Sequence, residues 1–248
     1  IDSSTQILKT LSKPALLYWA VNQTVEYLED NWEPGRAYDE VEIQEMLDEA
    51  KSARYKTSGK AMKVGTLVHD WIERYIRAKI RGDAVRVSWP DDDDVDADGY
   101  TSLSMPYNEK AQSSIEQFLN WEDNHDVEWL ATEQRAFSRL HGYGGTYDAD
   151  VLVDGERSLL DFKTSKGIYE DYWLQLGAYV YAIEEESHYI STLDSPEPIT
   201  PVQYEQMIIL RVPKTGGDFE MGLVDDRDEI VRLAKVFLAL YHVHQWKS

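Results

Sequence analysis

Apolar positions recur at helical spacing through the first half of the chain and at strand spacing through much of the second. Ser4–Asp30 places Leu16, Leu17, Trp19, Ala20 and Val21 behind Pro14 and predicts one opening helix or a pair. Tyr38–Tyr55 predicts another helix, and Lys56–Lys63 (KTSGKAMK) reads as a basic loop. Val64–Ile80 is strongly helical, with Leu67, Val68, Trp71, Ile72, Tyr75 and Ile76 on a broad apolar face. Asn108–Asn124 predicts a further helix. Glu128–Ser138 then reads as a strand leading into Thr146–Val153 and Ser158–Thr164, which alternate and are rich in β-formers. Tyr169–Glu186 is an aromatic-rich helix, Gln206–Val212 and Phe219–Val224 form a second hairpin through 214–217, and Asp226–Trp246 is a closing helix. Helices, a cluster of strands, then helix, strands and helix predict an α/β layer fold with a mixed sheet. No repeat and no Pro/Gly/Ser-rich linker divides the 248 residues, so one domain is expected, with 1–125 mainly helical and 126–248 an αβ core.

The hairpin within Gly144–Lys166 holds the densest chemistry. Asp154-Gly155 is a strong two-residue turn signal, because both turn positions need positive φ. With that turn, Val153 pairs with Glu156 and Asp148 falls opposite Asp161, with Lys163 on the same face as Asp161. A four-residue loop instead sets Asp150 opposite Asp161 and Asp148 opposite Lys163. In either register like charges crowd one face, which is unfavourable unless a cation lies between them. Hard oxygen ligands suit Mg²⁺ or Mn²⁺. A solvated hairpin with scattered charges is the bland rival.

The formal net charge of −21 argues against a nucleic-acid partner until its distribution is seen. Between Lys51 and Arg81 nine Lys or Arg face two acidic residues, Asp70 and Glu73. Within that stretch Lys51, Arg54, Lys56, Lys60 and Lys63 read as a phosphate-binding footprint on an acidic body. An ordinary basic helix surface is the alternative. Asp91–Asp94, Asp96 and Asp98 predict an exposed acidic loop without the spacing of an EF-hand. Cysteine is absent, which removes disulfides, thiolate zinc sites and cysteine-ligated iron–sulfur clusters. No apolar run is long enough for a membrane helix. The start, IDSSTQILKT, lacks the basic lead and apolar stretch of a signal peptide, and the missing initiator Met suggests a trimmed or processed start.

Four motifs in order resemble the PD-(D/E)XK nuclease superfamily, in particular its RecB-like exonuclease branch. They are Gly-Thr-Leu-Val-His at Gly65–His69 followed by Glu73, Gly-Thr-x-Asp at Gly145–Asp148, Asp-Phe-Lys at Asp161–Lys163, and Gln-x-x-x-Tyr at Gln175–Tyr179. The opening STQILKTLSKPALLYWA resembles the start of phage-encoded relatives, and the mitochondrial genome maintenance exonuclease is similar in the same motifs. The resemblance implies a restriction-endonuclease-like core: a central mixed β-sheet flanked by helices, with a helical N-terminal part. It implies Asp148, Asp161, His69 and the backbone carbonyl of Phe162 as ligands of Mg²⁺ or Mn²⁺. Lys163 would orient or deprotonate the attacking water, with Gln175 and Tyr179 beside the site. Glu73, Glu133 and Asp150 form a second tier: a partner for His69, a carboxylate entering from the neighbouring strand, and a reserve ligand. Phosphodiester hydrolysis needs an activated water and neutralisation of an anion, and a divalent ion with a lysine supplies both.

The implied function is a DNA exonuclease acting at free or single-stranded ends in phage recombination, replication or repair. It would work in the cytoplasm (the host's, if phage-encoded), beside a single-strand annealing or binding protein and away from membranes. A flap or structure-specific endonuclease of the same fold, and a non-catalytic DNA-binding module, are the other readings. The chain departs from helicase-fused relatives in lacking a GxxxxGK[ST] loop, and from CRISPR-associated relatives in lacking four cysteines.

Overall fold

The structure, a computed structural model, describes residues 2–11, 13–89, 101–191, 200–213 and 219–247, with backbone alone at 14–17, 60, 61, 101 and 102. The expected acidic loop at Asp91–Asp98, the turn at 214–217 and the side chain of Lys60 lie outside the described residues. The chain forms two compact units, one of residues 11–64 and the other of residues 1–10 and 65–248.

The smaller unit holds α2 (Pro14–Asn31), which starts on a proline suited to the first helical turn, and the beginning of α3 (Glu40–Ile80). The basic loop expected at Lys56–Lys63 is helical instead and continues α3 without a break. Gly59 is its weakest helix former, at a cost of about 1 kcal/mol, with Thr57 and Ser58 poor beside it, while the Lys, Ala and Met residues favour helix. Trp32 stacks on Tyr38 at 4.8 Å, and the Tyr38 hydroxyl accepts the Glu33 N–H at 2.7 Å.

The larger unit is built on a six-stranded mixed sheet. β4 (Val127–Ser138) and β5 (Tyr143–Val153) form a long antiparallel hairpin, and β5 pairs antiparallel with β6 (Glu156–Lys163). β6 runs parallel to β7 (Gln206–Arg211), which pairs antiparallel with β8 (Glu220–Val224). The short β1 (Asp2–Ser3) pairs parallel with Tyr143 and Gly144 at the start of β5 and leads into α1 (Ser4–Leu8). Outside the sheet, β2 (Val85–Ser88) and β3 (Thr101–Ser104) make a two-stranded parallel ladder that hydrophobic patterning does not reveal.

Helices cover both faces of the sheet. Lys163 meets α5 (Glu170–Ser191) through Gln175, whereas Phe162 packs edge-on against Phe118 of α4 (Glu109–Asp123) at 5.6 Å. Adjacent strand residues point to opposite faces, so α4 and α5 lie on opposite sides. α6 (Arg227–Lys247) packs beside α5. On the α4 side the core is aromatic: Trp71, Tyr75, Phe118, Trp121 and Trp129 are all buried. Glu122 is buried among them, accepting from Trp129 Nε1 at 2.7 Å and from the Tyr75 hydroxyl. A buried carboxylate is tolerable because it is hydrogen-bonded in this way.

Candidate active site

The β5–β6 turn is the two-residue kind, with Asp154 at φ 52° and Gly155 at φ 89° and Val153 paired with Glu156. The register holds through Ala149–Leu160, which aims Asp148 at Asp161 and excludes the four-residue loop. The ladder stops there, one step short of the two acids. Asp148 takes the place of backbone pairing: its Oδ2 accepts the Phe162 N–H at 2.7 Å. Beside β5, beyond the gap, β1 supplies the next paired backbone at Tyr143 and Gly144. The two acids therefore sit where two central strands part and a polar side chain can be reached without breaking the sheet.

Asp148 and Asp161 are both mostly buried, with side-chain exposures of 16% and 6%. Burial pushes each carboxyl up to about 6, and the Lys163 ammonium opposes that rise in both; the Asp148 charge raises Asp161 further, whereas Asp148 is raised further by Glu133 and lowered by hydrogen bonds to the Phe162 N–H and to Asp161. Lys163 forms an ion pair with Asp161 Oδ2, yet that oxygen accepts no hydrogen bond of regular geometry. Burial works against the charge on Lys163, but Asp161 and Asp148 more than offset it and hold its pKa above the ordinary lysine value. His69, on the second half of α3, places Nδ1 3.8 Å from Asp148 Oδ2. Burial holds its pKa below the usual value and favours the neutral imidazole, the form that binds a metal.

On the other side of β5, Glu133 falls opposite Asp148 between the pairs Thr132–Ala149 and Gln134–Tyr147. It follows a register shift at Trp129/Ala131 and has φ 49°, an uncommon conformation for a residue with a side chain. Burial raises its pKa, and Glu73, Asp161 and Asp70 raise it further while Arg77 opposes them. Glu73 itself pairs with Arg77 at 2.6 Å rather than with His69. A cleft of about 490 Å³ runs alongside, lined by Leu67, Asp70, Trp71, Glu73, Arg74 and Arg77 of α3 with Ser104 and Pro106.

The Gln-x-x-x-Tyr motif lies one turn apart on α5 and forms a polar chain. Lys163 Nζ donates to Gln175 Oε1 at 3.4 Å, Gln175 Nε2 donates to the Tyr179 hydroxyl at 3.2 Å, and the Ser4 hydroxyl donates to Tyr179 at 3.0 Å. Gln175 also donates to Thr5 Oγ1 at 3.4 Å. Gly145 allows this approach: a Cβ there would stand 2.6 Å from the Tyr179 hydroxyl and 2.9 Å from Ser4 Oγ. Asp150 is drawn elsewhere. Its two oxygens accept from Arg157 at 3.1 and 2.7 Å, and the Tyr204 hydroxyl donates to it at 3.1 Å.

Several residues at the site carry no sequence signal of their own. Ser4 and Thr5 reach it through β1, 170 positions or more from their partners. Thr132 donates to the Asp148 carbonyl at 2.8 Å, and Tyr172 lies under the Lys163 ammonium. Only the likeness of the opening segment to phage relatives hinted at the first two. In the smaller unit, Lys51 pairs with Asp48 at 2.9 Å, Lys56 pairs with Glu49, Arg54 lies over Tyr55 at 4.5 Å, and Lys63 is exposed.

The donor set fits a hard divalent ion: two buried carboxylates, a neutral imidazole and an Asp161 oxygen without a regular hydrogen bond. Among the described residues no three His, Asp or Glu side chains converge closely enough to make a finished metal site, and Lys163 lies against Asp161.

Comparison with curated proteins finds no match. Among solved structures, the crystal structure of SSO0001 is similar at 19% identity over 51% of this chain and 55% of that one, with a TM-score of 0.27. The chain thus spans about half the length of that relative. The profile of the PD-(D/E)XK nuclease superfamily matches residues 40–237. That match takes in His69, Asp148, the Asp161–Lys163 pair and the Gln175–Tyr179 motif, and on this extent the chain belongs to the PD-(D/E)XK nuclease superfamily.

Proposed function

We propose that this protein is a DNA exonuclease that hydrolyses phosphodiester bonds at DNA ends with Mg²⁺ or Mn²⁺. The observation that carries the reading is the grouping of Asp148, Asp161 and Lys163 at the parted end of the β5–β6 hairpin, with His69 3.8 Å from Asp148. Asp148, Asp161, His69 and the Phe162 carbonyl would hold the ion. When bound, it supplies Lewis acidity and an acidified water. Lys163 orients the nucleophile and adds positive charge where the transition state gathers negative charge. Gln175 and Tyr179 hold Lys163, and Glu133 and Glu73 border the site.

The exonuclease branch is supported by the order of the four motifs and by the way Ser4 and Thr5 tie the opening segment to Tyr179 and Gln175. The same resemblance supports a phage-type role in recombination, replication or repair, in the cytoplasm and beside a single-strand annealing or binding protein. Lys51, Arg54, Lys56, Lys60 and Lys63 are read as the DNA footprint, and residues 1–248 as one nuclease domain. Incubation of linear and closed-circular DNA with Mg²⁺ or Mn²⁺, with and without Lys163→Ala, tests the reading. Degradation of linear DNA alone, lost in Lys163→Ala, is expected. Cleavage of circles would favour the endonuclease, and binding without cleavage the non-catalytic module.

A further inference from the structure

The catalytic lysine has more than one neighbour. Its ammonium lies against Asp161, 3.4 Å from Gln175 Oε1 and 5.0 Å from the centroid of the Tyr172 ring. That last distance is within cation–π range, and the site is sheltered enough for the attraction to count. The Lys163 side chain is 20% exposed and Tyr172 is half-buried. The ring is itself held in place. Tyr172 lies in the first turn of α5 one helical turn before Gln175–Leu176, its N–H is donated to the Tyr169 carbonyl at 3.1 Å, and its ring meets Tyr169 edge-on at 5.5 Å.

We propose that Tyr172 is a positioning residue for Lys163: the face of its ring, together with Gln175, holds the ammonium at the phosphodiester end of the site. The chemistry explains the need. Asp161 is the strongest partner of Lys163, but it is also a ligand for the cation in the nuclease reading, on which this inference rests. A lysine whose only anchor is a carboxylate shared with a metal loses its place when the metal takes that carboxylate. A ring face and an amide oxygen attract an ammonium without competing for a divalent ion in that way. Tyr172 meets Lys163 with its π-face, while its hydroxyl hydrogen-bonds with Ser165, so phenylalanine keeps the contact with the ammonium and an aliphatic residue does not. Lysine positioned in this manner stays flexible in length but fixed in direction, which is what orientation of a nucleophile demands.

The full-length protein with Tyr172, Tyr172→Phe or Tyr172→Leu tests this in two ways. With ¹³C-labelled lysine, the Lys163 ε-methylene resonance, assigned by its disappearance in Lys163→Ala, is expected upfield of ordinary lysines through the ring current. The shift persists in Tyr172→Phe and vanishes in Tyr172→Leu. On linear DNA, Tyr172→Leu lowers kcat about 10-fold with KM unchanged to within about two-fold, and Tyr172→Phe restores kcat. An ordinary wild-type resonance overturns the proposal whether or not Tyr172→Leu folds. An unchanged kcat in a folded Tyr172→Leu, or a loss as large in Tyr172→Phe, also overturns it. If the wild type cleaves no DNA with either metal, the nuclease reading fails separately, and the resonance alone decides whether Tyr172 holds Lys163.

Discussion

The carboxylate of Asp148 accepts the backbone N–H of Phe162 at 2.7 Å, where the pairing of β5 with β6 has ended. One side chain thereby satisfies a strand N–H and stands as a candidate metal ligand. An amide keeps the first role, because its oxygen still accepts a hydrogen bond, and loses the second with its charge. Asp148→Asn is therefore expected to keep its fold and to match or exceed the wild type in thermal stability without metal. Its DNA cleavage should fall by at least about 100-fold, since a metal ligand is worth several kcal/mol in the transition state. Melting curves and single-turnover cleavage check both halves. A variant that unfolds, or that cleaves normally, contradicts this assignment of Asp148.

The raised carboxyls set a pH signature. Asp148 and Asp161 ionise near 4 in an unfolded chain and at about 6 in the fold. The folded state therefore binds protons more tightly, and its stability from this pair is complete below about pH 4. That contribution is lost as pH rises through about 6. A bound cation reverses the sense, because it needs both acids ionised. The melting temperature in chelator should thus decline between about pH 4 and 6 relative to the protein with Mn²⁺, and the stabilisation by Mn²⁺ should grow over the same window. Equal Mn²⁺ stabilisation at pH 5 and 7.5 would place the metal elsewhere.

Gly145 faces the Tyr179 hydroxyl and Ser4 Oγ closely enough that a methyl group has no room. Gly145→Ala forces Tyr179 and Ser4 aside and breaks the polar chain that reaches Lys163 through Gln175. A stability loss of about 1–3 kcal/mol is expected, as for other overpacked sites, with a drop in kcat larger than that of Tyr179→Phe. Denaturant unfolding and steady-state kinetics on linear DNA measure both.

The course of these elements shows what was legible in the sequence. Asp154-Gly155 announced its turn, and arithmetic from it aimed Asp148 at Asp161; the order of the motifs brought in His69, Gln175 and Tyr179. The alternation does not show that the ladder ends at Ala149–Leu160, because it continues on both strands past the point where the Asp148 side chain takes the Phe162 N–H. Asp150 is equivalent to Asp148 by period, but Arg157, diagonally across the same hairpin, and Tyr204 claim it, and only the second of these depends on tertiary placement. Glu133 came within view of the site through a shifted register and a positive φ, neither of which composition encodes. Lys56–Lys63 reads as a loop through Thr57, Ser58 and Gly59, yet it is helical because α3 runs on both sides of it and carries these weak formers along.

The basic helix turns yield the last prediction. Lys51 and Lys56 share their charge with Asp48 and Glu49, while Lys63 is exposed. Exposed pairs of this kind are worth little, about 0–1 kcal/mol, so a DNA phosphate can displace the carboxylates. Each phosphate neutralised by the protein contributes a slope of about −0.9 in the logarithm of affinity against the logarithm of salt for duplex DNA. Reversal of Lys56, Lys60 and Lys63 to Glu should weaken binding and make the salt slope shallower by up to about 2.7. The cleavage rate at saturating DNA should remain near that of the wild type, because none of the three belongs to the proposed metal site. Titrations of a labelled oligonucleotide at several salt concentrations read the slope directly, and an unchanged slope moves the footprint to another face of the protein.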